Sequence, residues 1–318
     1  MLTIGILGTG FGAEHLRLFS QTAGCRVKRV FGRNREKLES LKSKYKVEVA
    51  TDPSEVINDD DVDLLDICLP TGLHKEYALA GLERSKNVFI ETPMCYRTED
   101  AEQIRDSALR SNKKVYVSSF IKFFNEYNHL KSVVEKDEMG KLRAIRIYRN
   151  TPSVWGALGV EAIVHHLMIH DIDFLSSMFV APEVTHVSAV DVDSKKSVVL
   201  VALEADDALI ELEGCSLTPG TLPMSIGYKA RFESGEIDFQ CEFKEDGPSK
   251  RLRISTAQET NTLELKDKYP YQSMIEHVVE CETKNARNLL DVDSAIKSLR
   301  IADRIRREAM AAGRAADL

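Results

Sequence analysis

The chain has 318 residues, 43% of them apolar and 29% charged, and a formal net charge of −7 at pH 7. That length exceeds one ordinary core and suits two domains, and the composition is that of a soluble globular protein. An acidic balance without a basic cluster argues against a nucleic-acid partner, no apolar run reaches the roughly 18 residues of a membrane span, and six scattered cysteines with no CxxC spacing fit reduced thiols in a cytoplasmic protein, neither a disulfide framework nor a zinc site.

In chain order, the first 120 residues alternate strand and helix. Leu2–Leu7 is an apolar strand with no secretion-type leader before it, and it breaks at glycines into a helical pattern over Ala13–Thr22. A strand at Val27–Phe31, a charged helix at Arg35–Lys44 and a short strand at Val47–Val49 follow. Leu64–Leu69 is a continuous apolar run, the mark of a strand covered on both faces. Then come a helix at Lys75–Arg84, a strand at Val88–Ile90, a helix at Glu99–Ser111 and a strand at Val115–Ser119. Strands separated by helices imply parallel βαβ units, so residues 1–120 are expected to form a doubly wound α/β sheet.

After about residue 140 the pattern changes. One strong helix, Val160–Met178, precedes β-patterned runs at Glu183–Val190, Ser197–Glu204, Ala208–Glu213, Met224–Phe232, Glu236–Phe243, Arg251–Ser255 and Thr262–Leu265, joined by polar turns such as Asp206-Asp207 and Ser234-Gly235. Residues 121–318 are therefore expected to be an α+β domain with a large, mostly antiparallel sheet. Two helices, Tyr271–Thr283 and Asp293–Ala311, close the chain, the last expected to pack back on the first domain.

GTGFGA, residues Gly8, Thr9, Gly10, Phe11, Gly12 and Ala13, lies between the first strand and the first helix. Gly8 permits a tight turn, Gly10 lets a pyrophosphate approach the backbone, and Ala13 takes the small third position where helix meets strand. The helix N-terminus then faces the phosphates. At the end of the second strand, where a carboxylate would hold a ribose 2′-hydroxyl and a cation a 2′-phosphate, the sequence reads Gly32-Arg33-Asn34. The planar fork of Arg33 favours NADP over NAD.

In VHHLMIHDIDF, residues 164–174, a helix of 100° per residue puts His166, His170, Asp173 and Ser177 in one narrow polar band, while Leu167, Met168, Ile169, Ile172, Phe174, Leu175 and Met178 cover most of the remainder. His165 and Asp171 point elsewhere. A solvated face would carry Lys and Glu; this one carries His, His, Asp and Ser.

With these segments in order, the whole chain resembles the Gfo/Idh/MocA oxidoreductases, the glucose–fructose oxidoreductase and inositol dehydrogenase family. GTGFGAEH matches the opening loop with its trailing His15, CLPTGLHKEYALAGLERSKNVFIETP matches the stretch from the fourth to the fifth strand, IHDID matches the helix bearing a catalytic histidine, and the C-terminal sheet domain is the fourth feature. The resemblance implies an NAD(P)-dependent dehydrogenase or reductase acting on a sugar, inositol or related polar carbonyl or hydroxyl compound, assembled as a homodimer or homotetramer. It implies that Leu69, Pro70, Thr71, His74 and Glu91 line the cofactor together with the glycine loop, Arg33 and Asn34.

The resemblance also exposes two departures. Family chemistry rests on a Glu-Lys-Pro triplet and an Asp-x-x-x-His pair; here the triplet reads Glu91-Thr92-Pro93, and the residue four before His170 is His166. Three readings of the histidine band stay open. His170 is a general acid/base with His166 assisting and Thr92 orienting the substrate; or His166 and His170, with Asp173, hold a metal; or the histidines are satisfied structural groups. The family needs no metal, and none is expected. Thr92 has no charge to replace the lysine; Lys122 is a candidate replacement and, with Trp155 and Asp173, a candidate substrate contact. Biliverdin reductase, a relative, also lacks that lysine, so a non-sugar substrate is an alternative, as is a non-catalytic dinucleotide-binding regulator.

Overall fold

The computed structural model of the chain describes residues 1–152, 156–266 and 268–315. It falls into two compact units: Met1–Phe123 with Lys268–Ile296, and Phe124–Asp267 with Lys297–Leu318.

In the first unit the elements run β1 (Leu2–Leu7), α1 (Gly12–Ser20), β2 (Cys25–Phe31), α2 (Arg35–Tyr45), β3 (Glu48–Ala50), α3 (Ser54–Ile57), β4 (Leu64–Ile67), α4 (His74–Glu83), β5 (Asn87–Ile90), α5 (Thr98–Ser111) and β6 (Val115–Val117). The six strands form one parallel sheet in the order β3-β2-β1-β4-β5-β6. β1, β4 and β6 are buried along their whole length, as strands covered on both faces must be. The order reverses beside β1, the switch point at which such sheets bind ligands beyond the carboxyl ends of their strands.

The second unit begins with α6 (Asn125–Glu135) and β7 (Leu142–Asn150). The segment expected as one helix is three consecutive pieces: α7 (Val160–Ile163), a π-helical turn at Val164–Met168, and α8 (Ile169–Met178). There follow β8 (Glu183–Asp193), β9 (Lys196–Ala205), β10 (Ala208–Cys215), β11 (Met224–Phe232), β12 (Gly235–Lys244), β13 (Gly247–Thr256) and β14 (Thr260–Leu263). The sheet order is β14-β13-β12-β11-β7-β10-β9-β8, antiparallel except where β7 and β10 run parallel. Both residues of the Asp206-Asp207 turn have positive φ, 50° and 66°, the left-handed pair that a two-residue hairpin of the right twist requires. α9 (Pro270–Thr283) belongs to the first unit, and α10 (Val292–Ala315) starts there and continues in the second.

Candidate active site

The loops after β1, β2, β4 and β5 meet at one edge of the first sheet. Gly8 has φ +113°, and a Cβ there would lie 2.3 Å from the Cys68 carbonyl oxygen, so only glycine fits. A Cβ at Gly10 would meet nothing within 4 Å, which leaves its backbone open to a ligand. The close approach of helix to strand falls on Gly12, not on Ala13 as the sequence reading had it: a Cβ at Gly12 would come 3.0 Å from Ile6 and 3.2 Å from Cys68, while Ala13 is half-buried. No side chain caps the N-terminus of α1; the Ala13 and Glu14 amides donate to the Gly10 and Phe11 carbonyls at 3.4 and 2.8 Å, and the positive end of the helix dipole suits an anion. Phe11 is 41% exposed, with its ring 5.0 Å from that of Tyr271. Thr9 packs against Gly32, where a Cβ would lie 2.6 Å from its methyl group. Arg33 is exposed beyond β2, and the Asn34 side chain accepts from the Lys37 amide at 3.0 Å to cap α2.

Beyond β4, Pro70 is exposed and Thr71 opens a 3-10 turn, Thr71–Leu73. His74, 1% exposed, has its Nε2 2.7 Å from the Leu69 carbonyl and its Nδ1 3.0 Å from the Pro93 carbonyl. Burial lowers its pKa, while those two carbonyls pull the other way. Glu91 is occupied within the protein: its Oε2 accepts from the Thr92 amide at 3.1 Å and its Oε1 from Ser118 Oγ at 2.8 Å. Glu91 Oε1 also lies 2.8 Å from Nε2 of the buried His15. The other ring nitrogen of His15, Nδ1, is 2.9 Å from Asp66 Oδ2. Burial works against a charged ring here, but the Asp66 carboxylate and Cys68 outweigh it and hold His15 well above the ordinary histidine value. Thr92 is half-buried in the middle of the turn. Lys122 also falls in this unit, where its Nζ donates to the Leu289 carbonyl at 3.2 Å.

In the second unit the π turn alters the expected stripe. His166 is exposed and His170 half-buried, while Asp173 is buried and accepts from Ser298 Oγ of α10 at 2.8 Å. His165 is buried, its Nε2 3.2 Å from Asp303. Asp171, set aside in the sequence reading, is buried and takes a bidentate contact from Arg149: Nε to Oδ2 at 2.6 Å and Nη2 to Oδ1 at 2.9 Å. Burial, then the positive charge of Arg149, then His166 hold His170 well below the ordinary value, so it is neutral at pH 7. Partial desolvation and His165 also lower His166. Among the described residues the ligand atoms that converge as a metal site would are those of His15, Asp66 and Cys68, not those of His166, His170 and Asp173. Trp155 lies outside the described residues.

Among the described buried polar residues, Asp66, Ser118 and Arg149, and Asp171 as a pairing partner, were not read from the sequence. Asp66 had a visible signal, a lone acid inside the apolar run LLDICL. Such a group needs a partner when buried, and His15 is it.

Residues 2–119 match the model of a family described as "Oxidoreductase family, NAD-binding Rossmann fold", GFO_IDH_MocA. An inositol 2-dehydrogenase of Mycolicibacterium gilvum is 30% identical over 182 residues, 56% of this chain and 52% of that one. The chain spans about half the length of the curated relatives it matches. Among solved structures, an oxidoreductase from Agrobacterium radiobacter in complex with NAD+, L-tartaric acid and magnesium superposes with a TM-score of 0.81 at 14% identity, covering 99% of this chain and 97% of that one. A 3-ketoreductase from Actinomadura kijaniata in complex with TDP-benzene and NADP gives 0.82 at 14% identity, covering 96% and 97%. At such identities these likenesses speak for the fold.

Proposed function

We propose that the chain, whose residues 2–119 match the Gfo/Idh/MocA oxidoreductase model, is an oxidoreductase of that family and transfers a hydride between a nicotinamide dinucleotide and a sugar, inositol or related polar carbonyl or hydroxyl compound. The observation that carries the dinucleotide part is the loop Gly8–Ala13: an obligatory glycine turn, an open backbone at Gly10 and an uncapped helix N-terminus at the switch point of the sheet. When bound, the dinucleotide supplies the hydride acceptor or donor. The residues of this chain do the rest. The positive N-terminal end of α1 and the open backbone at Gly10 hold phosphate, and Arg33 holds a 2′-phosphate, which makes NADP the preferred form. The hydroxyl of Thr92 orients the substrate or the nicotinamide amide by hydrogen bonding.

His170 is the proton carrier. A base must be neutral before it can accept a proton, and burial with Arg149 keeps this imidazole so. Proton loss from a substrate hydroxyl leaves its oxygen ready to become the carbonyl as the hydride departs from carbon; in the reverse direction His170, protonated, returns the proton. His166, four residues before it, assists by binding a substrate hydroxyl. The same reading takes the protein as a homodimer or homotetramer, which light scattering on the purified protein decides.

The departure at Thr92 favours a second reading, in which the substrate is not a plain sugar or the protein binds dinucleotide without turnover. Fluorescence titration with NADPH and NADH, then a panel of sugars, inositols, keto-sugars and non-sugar carbonyls, separates these. We expect saturable NADPH binding, tighter than NADH, and turnover on at least one polyol or keto-sugar. His170→Ala is expected to keep the dinucleotide affinity and lose about 100-fold or more in kcat. Unchanged kcat in that variant would remove His170 from the mechanism, and binding without turnover on any compound would leave the non-catalytic reading.

A further inference from the structure

We propose that His15 and His74 are positioning residues for the cofactor site: the two imidazoles pin the Glu91-Thr92-Pro93 turn to the helix that follows the glycine loop and to the loop that follows β4. This rests on the dinucleotide reading above and deepens it.

The argument starts from the shortness of Thr92. A lysine at this place would reach its target on a flexible four-carbon stem, and a small error in the backbone would be absorbed by the side chain. A threonine hydroxyl stands one bond beyond Cβ, so its direction is set by the turn itself. The turn is held from both ends. On one side His15 bridges two carboxylates, with Nδ1 2.9 Å from Asp66 Oδ2 on β4 and Nε2 2.8 Å from Glu91 Oε1 at the end of β5. The second approach is too oblique for a good hydrogen bond, so charge rather than direction supplies it. The ring stacks on Phe89 with centroids 5.3 Å apart and planes 10° from parallel, which fixes its orientation. Glu91, held in this way, accepts from Ser118 Oγ and from the amide of Thr92. On the other side His74 lies between the Pro93 and Leu69 carbonyls at 3.0 and 2.7 Å.

His15 sits one turn into α1, whose N-terminus carries the phosphate site, and Leu69 adjoins Gly8, with its Cδ2 3.5 Å from where a Cβ would be. The same two histidines therefore connect the loop that would take phosphate with the turn that carries Thr92. Supports of this kind decide whether a site keeps its geometry to within a fraction of an ångström. One competing account uses the same atoms. His15 Nδ1, Asp66 Oδ1 and Cys68 Sγ are separated by 3.2, 3.4 and 3.5 Å, a triangle that would also admit a small divalent ion.

The test compares His15→Gln and His74→Asn with Ile104→Ala, a buried position on α5 that makes none of the contacts named above. Hydrogen exchange of the Thr92 and Met94 amides, thermal melting and NADPH affinity are read on the full chain. The two histidine variants are expected to speed exchange at those amides and to weaken NADPH binding, each by about tenfold. Ile104→Ala is expected to lower the melting temperature while leaving both readings within about twofold of wild type. Histidine variants indistinguishable from Ile104→Ala in both readings would overturn the proposal. If His15→Gln does not fold, Ser118→Ala, which strips one donor from Glu91, gives the same comparison on a milder change. A wild-type chain that binds no NADPH would sink the dinucleotide reading alone, because the exchange rates still decide whether the turn is pinned. Metal analysis of the purified chain is expected to find no stoichiometric zinc, and one equivalent would overturn the ion-pair account of His15.

Discussion

Arg149 is 1% exposed, the largest of the fully buried side chains, and its guanidinium has no water to solvate it. Its charge is answered by Asp171 in a fork-to-carboxylate contact, and Tyr127 donates to the same carboxylate at 3.3 Å. Such a pair contributes little net stability, because desolvation offsets attraction, yet removing one member leaves a naked charge in the core. Arg149→Met is therefore expected to cost roughly 3–5 kcal/mol in urea unfolding, and Arg149→Met with Asp171→Leu to recover most of that loss. A double variant as unstable as the single one would show that the pair is a net stabiliser. The sequence hid this residue because a strand pattern such as LRAIRIYRN offers three arginines, and nothing local says which turns inward. The burial pattern singles out Arg149: Arg143 and Arg146 are exposed and pair at the surface with Glu233 and with Glu211 and Glu213. His170 and His166 were legible as chemistry-bearing residues, whereas Arg149, the cation that acts on His170, was not, since it lies on β7, elsewhere in the chain.

At the scale of elements, the glycine loop makes a pair of contrasting expectations. Gly8→Ala forces a methyl group onto the Cys68 carbonyl at a backbone angle of +113°. It is expected to destabilise the first unit by roughly 2 kcal/mol or more and to weaken NADPH binding with it. Gly10→Ala meets no protein atom, so its melting temperature is expected to stay near wild type while NADPH affinity falls. Equal affinity in Gly10→Ala and wild type would mean that no ligand backbone approaches there. The strand–helix alternation of the first unit was readable because strands such as β1, β5 and β6 are largely apolar and helices such as α1 and α5 are amphipathic. β7 and α6 were not read: β7 has an arginine at every third position, which blurs a period of two, and α6 follows a 3-10 turn at Phe120–Phe123 without a capping side chain. The π turn at Val164–Met168 was invisible for a different reason. A periodicity of 100° assumes one kind of helix, and a single wider turn rotates everything beyond it. That rotation buries Asp173 and leaves His166 exposed beside a half-buried His170.

For the whole molecule, the histidines set opposing slopes of stability with pH. His170 and His74 have folded-state pKa values below the ordinary one, because burial disfavours their charged forms. As pH falls through about 6.5 the unfolded chain takes up these protons first. Their contribution is thus complete above that pH and lost below it. His15 runs the other way: its folded value is raised, so its contribution is complete below about 6.5 and is lost only as pH climbs through the higher folded value. The carboxylates held low, Glu14 and Glu233 by their arginines and Asp59 by Lys28, give way only in a more acidic range. The urea midpoint is therefore expected to fall in two stages on acidification, the first between pH 7 and 5 and the second below about pH 4. Substituting His170→Gln removes one titrating group while keeping an amide of similar reach, so the first stage should shrink and the second should not move. A first stage that His170→Gln leaves untouched would mean that folding does not lower the His170 pKa, so that burial does not hold this imidazole neutral for a substrate hydroxyl.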